Sequence, residues 1–160
     1  MQLPIRPISA AEFAPYGWLA DAGGAAGRPI NEGTTHRVDA VGELQLTAEG
    51  GAPCLALFRA QPRDPRGPWQ QLERHRLGTQ TFVPMGSARY VVLVALGDEQ
   101  PDMSTLAAFA VGGQQAVTLR AGTWHHGLIA PEGGDFVVIE RQAETVDCEL
   151  VTLAIAVMLG

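Results

Sequence analysis

Four histidines, seventeen carboxylates and eleven arginines are the residues of this chain that could do chemistry, and two stretches bring histidines and a carboxylate together. The first, Leu72–Gly86 (LERHRLGTQTFVPMG), spaces Glu73 and His75 two apart and places Gln80 beyond a Gly78 turn. Successive side chains of a strand alternate between faces, so Glu73 and His75 share one face, and Gln80 joins them if the turn keeps register. The second, Leu119–Leu128 (LRAGTWHHGL), follows a glycine with His125 and His126, only one of which can face inward with the first set. A carboxylate, an amide and an imidazole converging in this way can move protons or hold a cation. His36 and His126 read as surface or supporting residues.

The rest of the composition narrows the chemistry by exclusion. All eleven basic residues are arginine, which removes Schiff-base formation, pyridoxal phosphate attachment and the P-loop together. The three serines, Ser9, Ser87 and Ser104, lie outside any GxSxG. A formal charge of −6 leaves no cationic excess for phosphates, so neither nucleic acid nor an anionic membrane is an expected partner. Residues 1–6 lack a signal peptide's apolar core and the longest apolar run, Leu150–Leu159, is too short to span a bilayer, so a cytoplasmic location is expected. In a reducing compartment Cys54 and Cys148 are expected as two buried thiols, not a disulfide.

The elements that must position these groups read as strands. At 160 residues one domain over 1–160 is expected, and 19 Gly and 11 Pro suit an all-β fold rich in turns. Strands are predicted at Leu44–Leu46, Cys54–Arg59, Trp69–His75, Gln80–Pro84, Arg89–Leu96, Gln115–Leu119, Trp124–Ala130, Asp135–Arg141 and Cys148–Met158. Their spacing near ten residues suits an antiparallel sandwich or barrel. The nearly continuous apolar run of Cys54–Phe58 predicts a well-buried strand. Ser9 and Glu12 form a capping-box pattern for a short first helix, Asp21–Pro29 reads as a mobile Gly/Ala-rich loop, and Asn31–Arg37 as a polar turn. The spacing of Leu106, Phe109 and Ala110 predicts a helix over Met103–Ala110. The apolar last strand predicts cover by a second subunit.

The focal spacing resembles the cupins, small β-barrels of the double-stranded β-helix type, with Glu73, His75, Gln80 and Gly86 in the first motif and Arg120-x-Gly122-x-x-His125 in the second. More specific is the similarity to the ureidoglycolate lyase family, whose members read close to INxGxTxRF, FRA, LERHPLGSQAFIPL, GxWHHPLL, FxVVDR and NCDEH. This chain offers Ile30–Arg37 (INEGTTHR), Phe58–Ala60, Leu72–Pro84, Gly122–His126 and Phe136–Arg141 (FVVIER) in the same order. It departs at Gly127 in place of the proline after the histidine pair, at Arg120-Ala121, and at Asp147–Val151 (DCELV).

The resemblance implies a cupin-like homodimer that cleaves ureidoglycolate to glyoxylate and urea in allantoin breakdown. Breaking that carbinolamide needs one general base and one general acid, for which Glu73, His75 and His125 are the candidates. The substrate carboxylate wants a bidentate partner, with Arg59 and Arg37 as candidates, and Gln80 or Asn31 can bind the urea amide. No cofactor is required by that chemistry. If a divalent metal is present, His75, Gln80 and His125, with Glu73 as a fourth ligand, suit nickel or manganese better than a structural zinc. Two other readings stay open: a cupin-like protein that binds a ureide or 2-oxo acid without catalysis, and a metal-dependent cupin enzyme acting on another small acid.

Overall fold

The structure is a computed structural model that describes residues 1–21, 23, 26–39 and 41–160. Two sheets hold most of the chain. One takes β1 (Gln2–Leu3), β2 (Ile5–Pro7), β7 (Trp69–Arg74), β9 (Tyr90–Ala95), β10 (Ala107–Val111), β12 (Trp124–His125) and β14 (Glu149–Leu159) in the order β1-β14-β7-β12-β9-β10-β2. The other takes β3 (Gly17–Asp21), β6 (Ala52–Ala60), β8 (Gln80–Met85), β11 (Gln115–Leu119) and β13 (Gly134–Gln142) in the order β3-β11-β8-β13-β6. A separate pair, β4 (Arg28–Ile30) and β5 (Thr35–Arg37), forms a small hairpin. The pairings within the two large sheets are antiparallel except at the short β1–β14 and β10–β2 edges. This is the expected cupin-like β-barrel.

The core explains why the sequence alternates as it does. Phe82 and Phe136 from one sheet meet Tyr90, Val92, Val94 and Phe109 from the other in a first cluster between the sheets. The alternate residues of β9, namely Val91, Leu93 and Ala95, join Trp69, Leu72, Trp124 and Val157 in a second cluster on the far face. A strand covered on both faces must be apolar throughout, which is why Tyr90–Ala95 shows no alternation. At about 1.5–3 kcal/mol per fully buried large apolar side chain, β9 alone is a major source of stability.

The short helix α1 (Ala10–Phe13) forms as expected: Ser9 Oγ accepts from Glu12 N at 3.3 Å and donates to the Glu12 carboxylate at 2.9 Å. Five other expectations are corrected. Met103–Ala110 is not a helix; a 3-10 turn over Met103–Thr105 leads into β10. Apolar residues over a short span fit either period, and burial of β10 on both faces selected the strand. Leu44–Leu46 forms no strand. β6 is the edge of its sheet, so Ala56 and Phe58 pack inward while Leu55 and Leu57 are 74% and 54% exposed. Both thiols are free, but Cys54 is half-buried and Cys148 exposed. The predicted strand at Trp124–Ala130 is shorter than expected, ending at His125 before a single bridge between Val91 and Ile129. Of the expected loop at Asp21–Pro29, Ala22, Gly24 and Ala25 lie outside the described residues, and Arg28-Pro29 belongs to β4.

Candidate functional site

The two focal stretches meet because β12 pairs with β7 in a register that sets His125 directly across from Glu73. Cross-strand partners of this kind share a face, so the two side chains converge. Gly122, at φ +86°, makes the turn that admits this pairing, a conformation costly for a residue with a Cβ. Its N–H donates to the His75 carbonyl at 2.7 Å, tying the second motif to the first.

At the centre, Glu73 Oε1 stands 3.5 Å from His125 Nε2. The rings of His75 and His125 lie 5.4 Å apart, and one ligand atom from each of Glu73, His75 and His125 lies within 4.8 Å of the others. His125 is 2% exposed. Its Nδ1 bonds the Thr123 carbonyl at 3.0 Å, and His75 Nδ1 bonds the Asp147 carbonyl. A carbonyl can only accept, so Nδ1 carries the proton in both rings and each Nε2 is left to the interior. Both Nε2 atoms and Gln80 Oε1 are buried without a hydrogen-bond partner.

Three acceptors facing one another repel unless a cation stands among them. A proton shared between Glu73 and His125 satisfies that requirement, and so does a divalent metal; imidazole and carboxylate donors with bare lone pairs fit one. The close approach of His125 holds the Glu73 carboxyl below its ordinary range against the opposing effect of burial, with smaller contributions from His75 and Cys148. The Cys148 thiol lies 3.7 Å from Glu73 Oε2, and partial shielding from solvent together with that carboxylate pushes its pKa up.

His75 also lines a cleft of about 220 Å³ with Cys54, Thr79, Glu140, Arg141 and Asp147. The corner between β7 and β8 crosses from one sheet to the other and forms part of its wall. Asp147 pins that corner by accepting from the N–H groups of Arg76 and Leu77 at 2.9 and 2.7 Å. Gln80 shares the inward face of β8 with Phe82 and donates to Glu140 at 2.8 Å.

The other residues singled out from the sequence lie elsewhere. Arg59 is exposed and paired with Asp135 at 3.2 Å. Arg37 sits on the β4–β5 hairpin, paired with Asp39 at 2.5 Å, and Asn31 is exposed in the turn of that hairpin at φ +51°. His126 faces away from Glu73, its ring 4.5 Å from that of Trp69. Sequence reasoning missed Glu140, Arg141 and Asp147. The signal was present in FVVIER, where two charged residues end an apolar strand.

The sequence profile of the ureidoglycolate lyase family matches residues 1–159. The chain belongs to the ureidoglycolate lyase family. Among relatives of that name, one from Burkholderia mallei is 43% identical over 140 residues, covering 87% of this chain and 82% of the relative. One from Burkholderia cepacia is 36% identical over 157 residues, covering 96% and 88%. One from Escherichia coli K12 is 37% identical over 142 residues, covering 88% of each. The Glu73–His75–His125 cluster lies inside the family match, on the two stretches where the chain keeps LERH and GTWHH.

Proposed function

We propose that the protein is a ureidoglycolate lyase, cleaving ureidoglycolate to glyoxylate and urea. The observation that carries the reading is the set of bare Nε2 atoms of His75 and His125 held against the Glu73 carboxylate beside a cleft fit for a small acid. Family membership supplies the substrate; the cluster supplies the acid and base.

In the reaction the carbinol O–H loses its proton, the C–N bond breaks as the C=O forms, and the departing ureido nitrogen gains a proton. His75 takes the hydroxyl proton, since it is the ring on the cleft and Nε2 is its one nitrogen without a hydrogen-bond partner, Nδ1–H being committed to Asp147. The Glu73–His125 pair, 3.5 Å apart, delivers the other from the proton the two groups share. Proton transfer by positioned groups of this kind supplies about 10²–10⁴-fold. Of the substrate-binding candidates, Gln80 is the one the fold brings to the cleft, on β8 bonded to Glu140, whereas Asn31, Arg59 and Arg37 do not line it.

A divalent cation such as nickel or manganese would be held by His75, His125 and Glu73, with Gln80 Oε1 as a further donor, and would supply charge stabilisation at the substrate oxygen. The proton transfers above do not need it. Nickel or manganese at one equivalent per chain, by elemental analysis of protein purified without added metal, would support it; none bound after dialysis against either ion would exclude it.

We further propose a cytoplasmic homodimer with a small molecule as its only ligand class. Among the described residues no helix is long and apolar enough to cross a membrane. Leu55 and Leu57 on β6 and Leu150 and Ile155 on β14 are apolar side chains left exposed on one chain, the pattern of a face that another copy covers. Light scattering that finds only monomer at micromolar concentration would refute the dimer. For the activity, urea release from ureidoglycolate above the spontaneous rate is the test, and none with or without added metal would refute it.

A further inference from the structure

We propose that Arg141 is the residue that recognises the substrate's carboxylate, an inference that rests on the lyase reading above for the substrate but on geometry alone for the anion site. Eight of the eleven arginines are matched to a carboxylate: Arg6, Arg28, Arg37, Arg59, Arg66, Arg74, Arg76 and Arg89. Arg63 and Arg120 stack on Trp69 and Trp18. Arg141 has no ion-pair partner among the described residues, and it lines the cleft that holds His75.

Its side chain is seated, not free. Nε donates to the Ala48 carbonyl at 2.8 Å and Nη2 to the Glu49 carbonyl at 3.3 Å. Gly51 and Gly78 make the seat: a Cβ on Gly51 would stand 2.3 Å from Arg141 Nε, and one on Gly78 would stand 2.7 Å from Arg141 Cβ. Gly51 is extended, at φ −69°, so the missing side chain there provides space, not backbone freedom. A guanidinium has five N–H donors in a planar fork. With two of them committed to backbone carbonyls, the edge formed by Nη1 and Nη2 still carries a parallel pair.

The two acids of the same cleft are already served. Glu140 accepts from Gln80, and Asp147 accepts from two backbone N–H groups. They line the cleft with negative charge, which makes an entering carboxylate depend on the one unmatched guanidinium. Arg141 and His75 line the same cleft, which puts the acid end of a small substrate and the ring that takes its hydroxyl proton in one space.

The test uses glyoxylate as the carboxylate probe and urea as the neutral one, by calorimetry and by inhibition of turnover. In Arg141→Gln, glyoxylate affinity is expected to fall about 10–100-fold, the loss of a charged hydrogen-bonded pair, and KM for ureidoglycolate to rise with it. Inhibition by urea should stay within about twofold of wild type. Because Arg141 also ties down residues 48–49, Gly51→Ala provides a second route: it displaces the guanidinium without removing it and should give the same selective loss. Unchanged glyoxylate affinity in both variants, equal loss of glyoxylate and urea, or a wild-type protein that binds no glyoxylate would each overturn the assignment. Glyoxylate binding through Arg141 without urea release would sink the lyase reading and leave the anion site standing.

Discussion

Strand β13 carries an acid near each end with an arginine beside it, and the two ends have opposite characters. At its start Asp135 pairs with Arg59 of the edge strand, in water, with 43% and 74% of the side chains exposed. Roughly 20 Å along the strand, at 3.3 Å per residue, Glu140 and Arg141 stand on a cleft beside the half-buried His75 imidazole and are held by an amide and by backbone carbonyls. An exposed ion pair of the first kind contributes about 0–1 kcal/mol and is screened by salt. The second end is partnered so that its remaining valences point at whatever enters. Residue type does not separate the two; what each charge is already bonded to does.

The largest effect should come from the cluster beside the cleft end. Glu73→Gln removes the carboxylate that faces His125, and kcat for urea release should drop about 10²–10⁴-fold with the fold intact by circular dichroism. A variant within threefold of wild type would remove Glu73 from the chemistry. His75→Ala should lose as much, and the double variant little more, since acid and base act on one substrate as a unit. The two arginines of β13 and its neighbour sharpen the comparison next. Arg59→Gln should change KM less than about twofold and stability by less than about 1 kcal/mol, against the large KM effect of Arg141→Gln.

Smaller effects follow from titration. The Glu73 pKa is lowered in the fold, so its contribution to stability is complete above the unfolded value of about 4.3 and is lost as pH falls through the folded value. Wild type should therefore lose more stability than Glu73→Gln as pH is lowered below about 4, by urea denaturation at each pH. The smallest effect concerns Cys148. Its thiol is held protonated by partial shielding from solvent and by Glu73, so alkylation at pH 8, mapped by mass spectrometry, should be severalfold faster in Glu73→Gln. An unchanged rate would mean that the thiol does not sense the carboxylate.

Much of the Glu73–His75–His125 cluster was legible in the sequence, and the reason is local. Glu73 and His75 are two apart on a strand, and Gly122 three before His125 marks a turn, so short-range periodicity predicted which side chains share a face. The barrel was legible for the same reason. Three things were not. Ala107–Val111 fits a helical stripe as well as a buried strand, and only tertiary cover on both faces decides between them. Cys54–Phe58 looked buried because apolarity does not reveal that a strand lies at an edge. Arg141 could not be told from Arg59, because its value depends on Gly51 and Gly78, which are 90 and 63 residues away in sequence and make contact with it only after the sheets close.

The central claim is that the half-buried Glu73 and the two imidazoles beside the cleft split a carbinolamide. Its most direct test is the initial rate of urea release from ureidoglycolate by wild type and Glu73→Gln side by side, each corrected for spontaneous decay. The account predicts turnover well above background in wild type and a loss of at least about 10²-fold in the variant. Equal rates in the two proteins, or none above background in either, would contradict it.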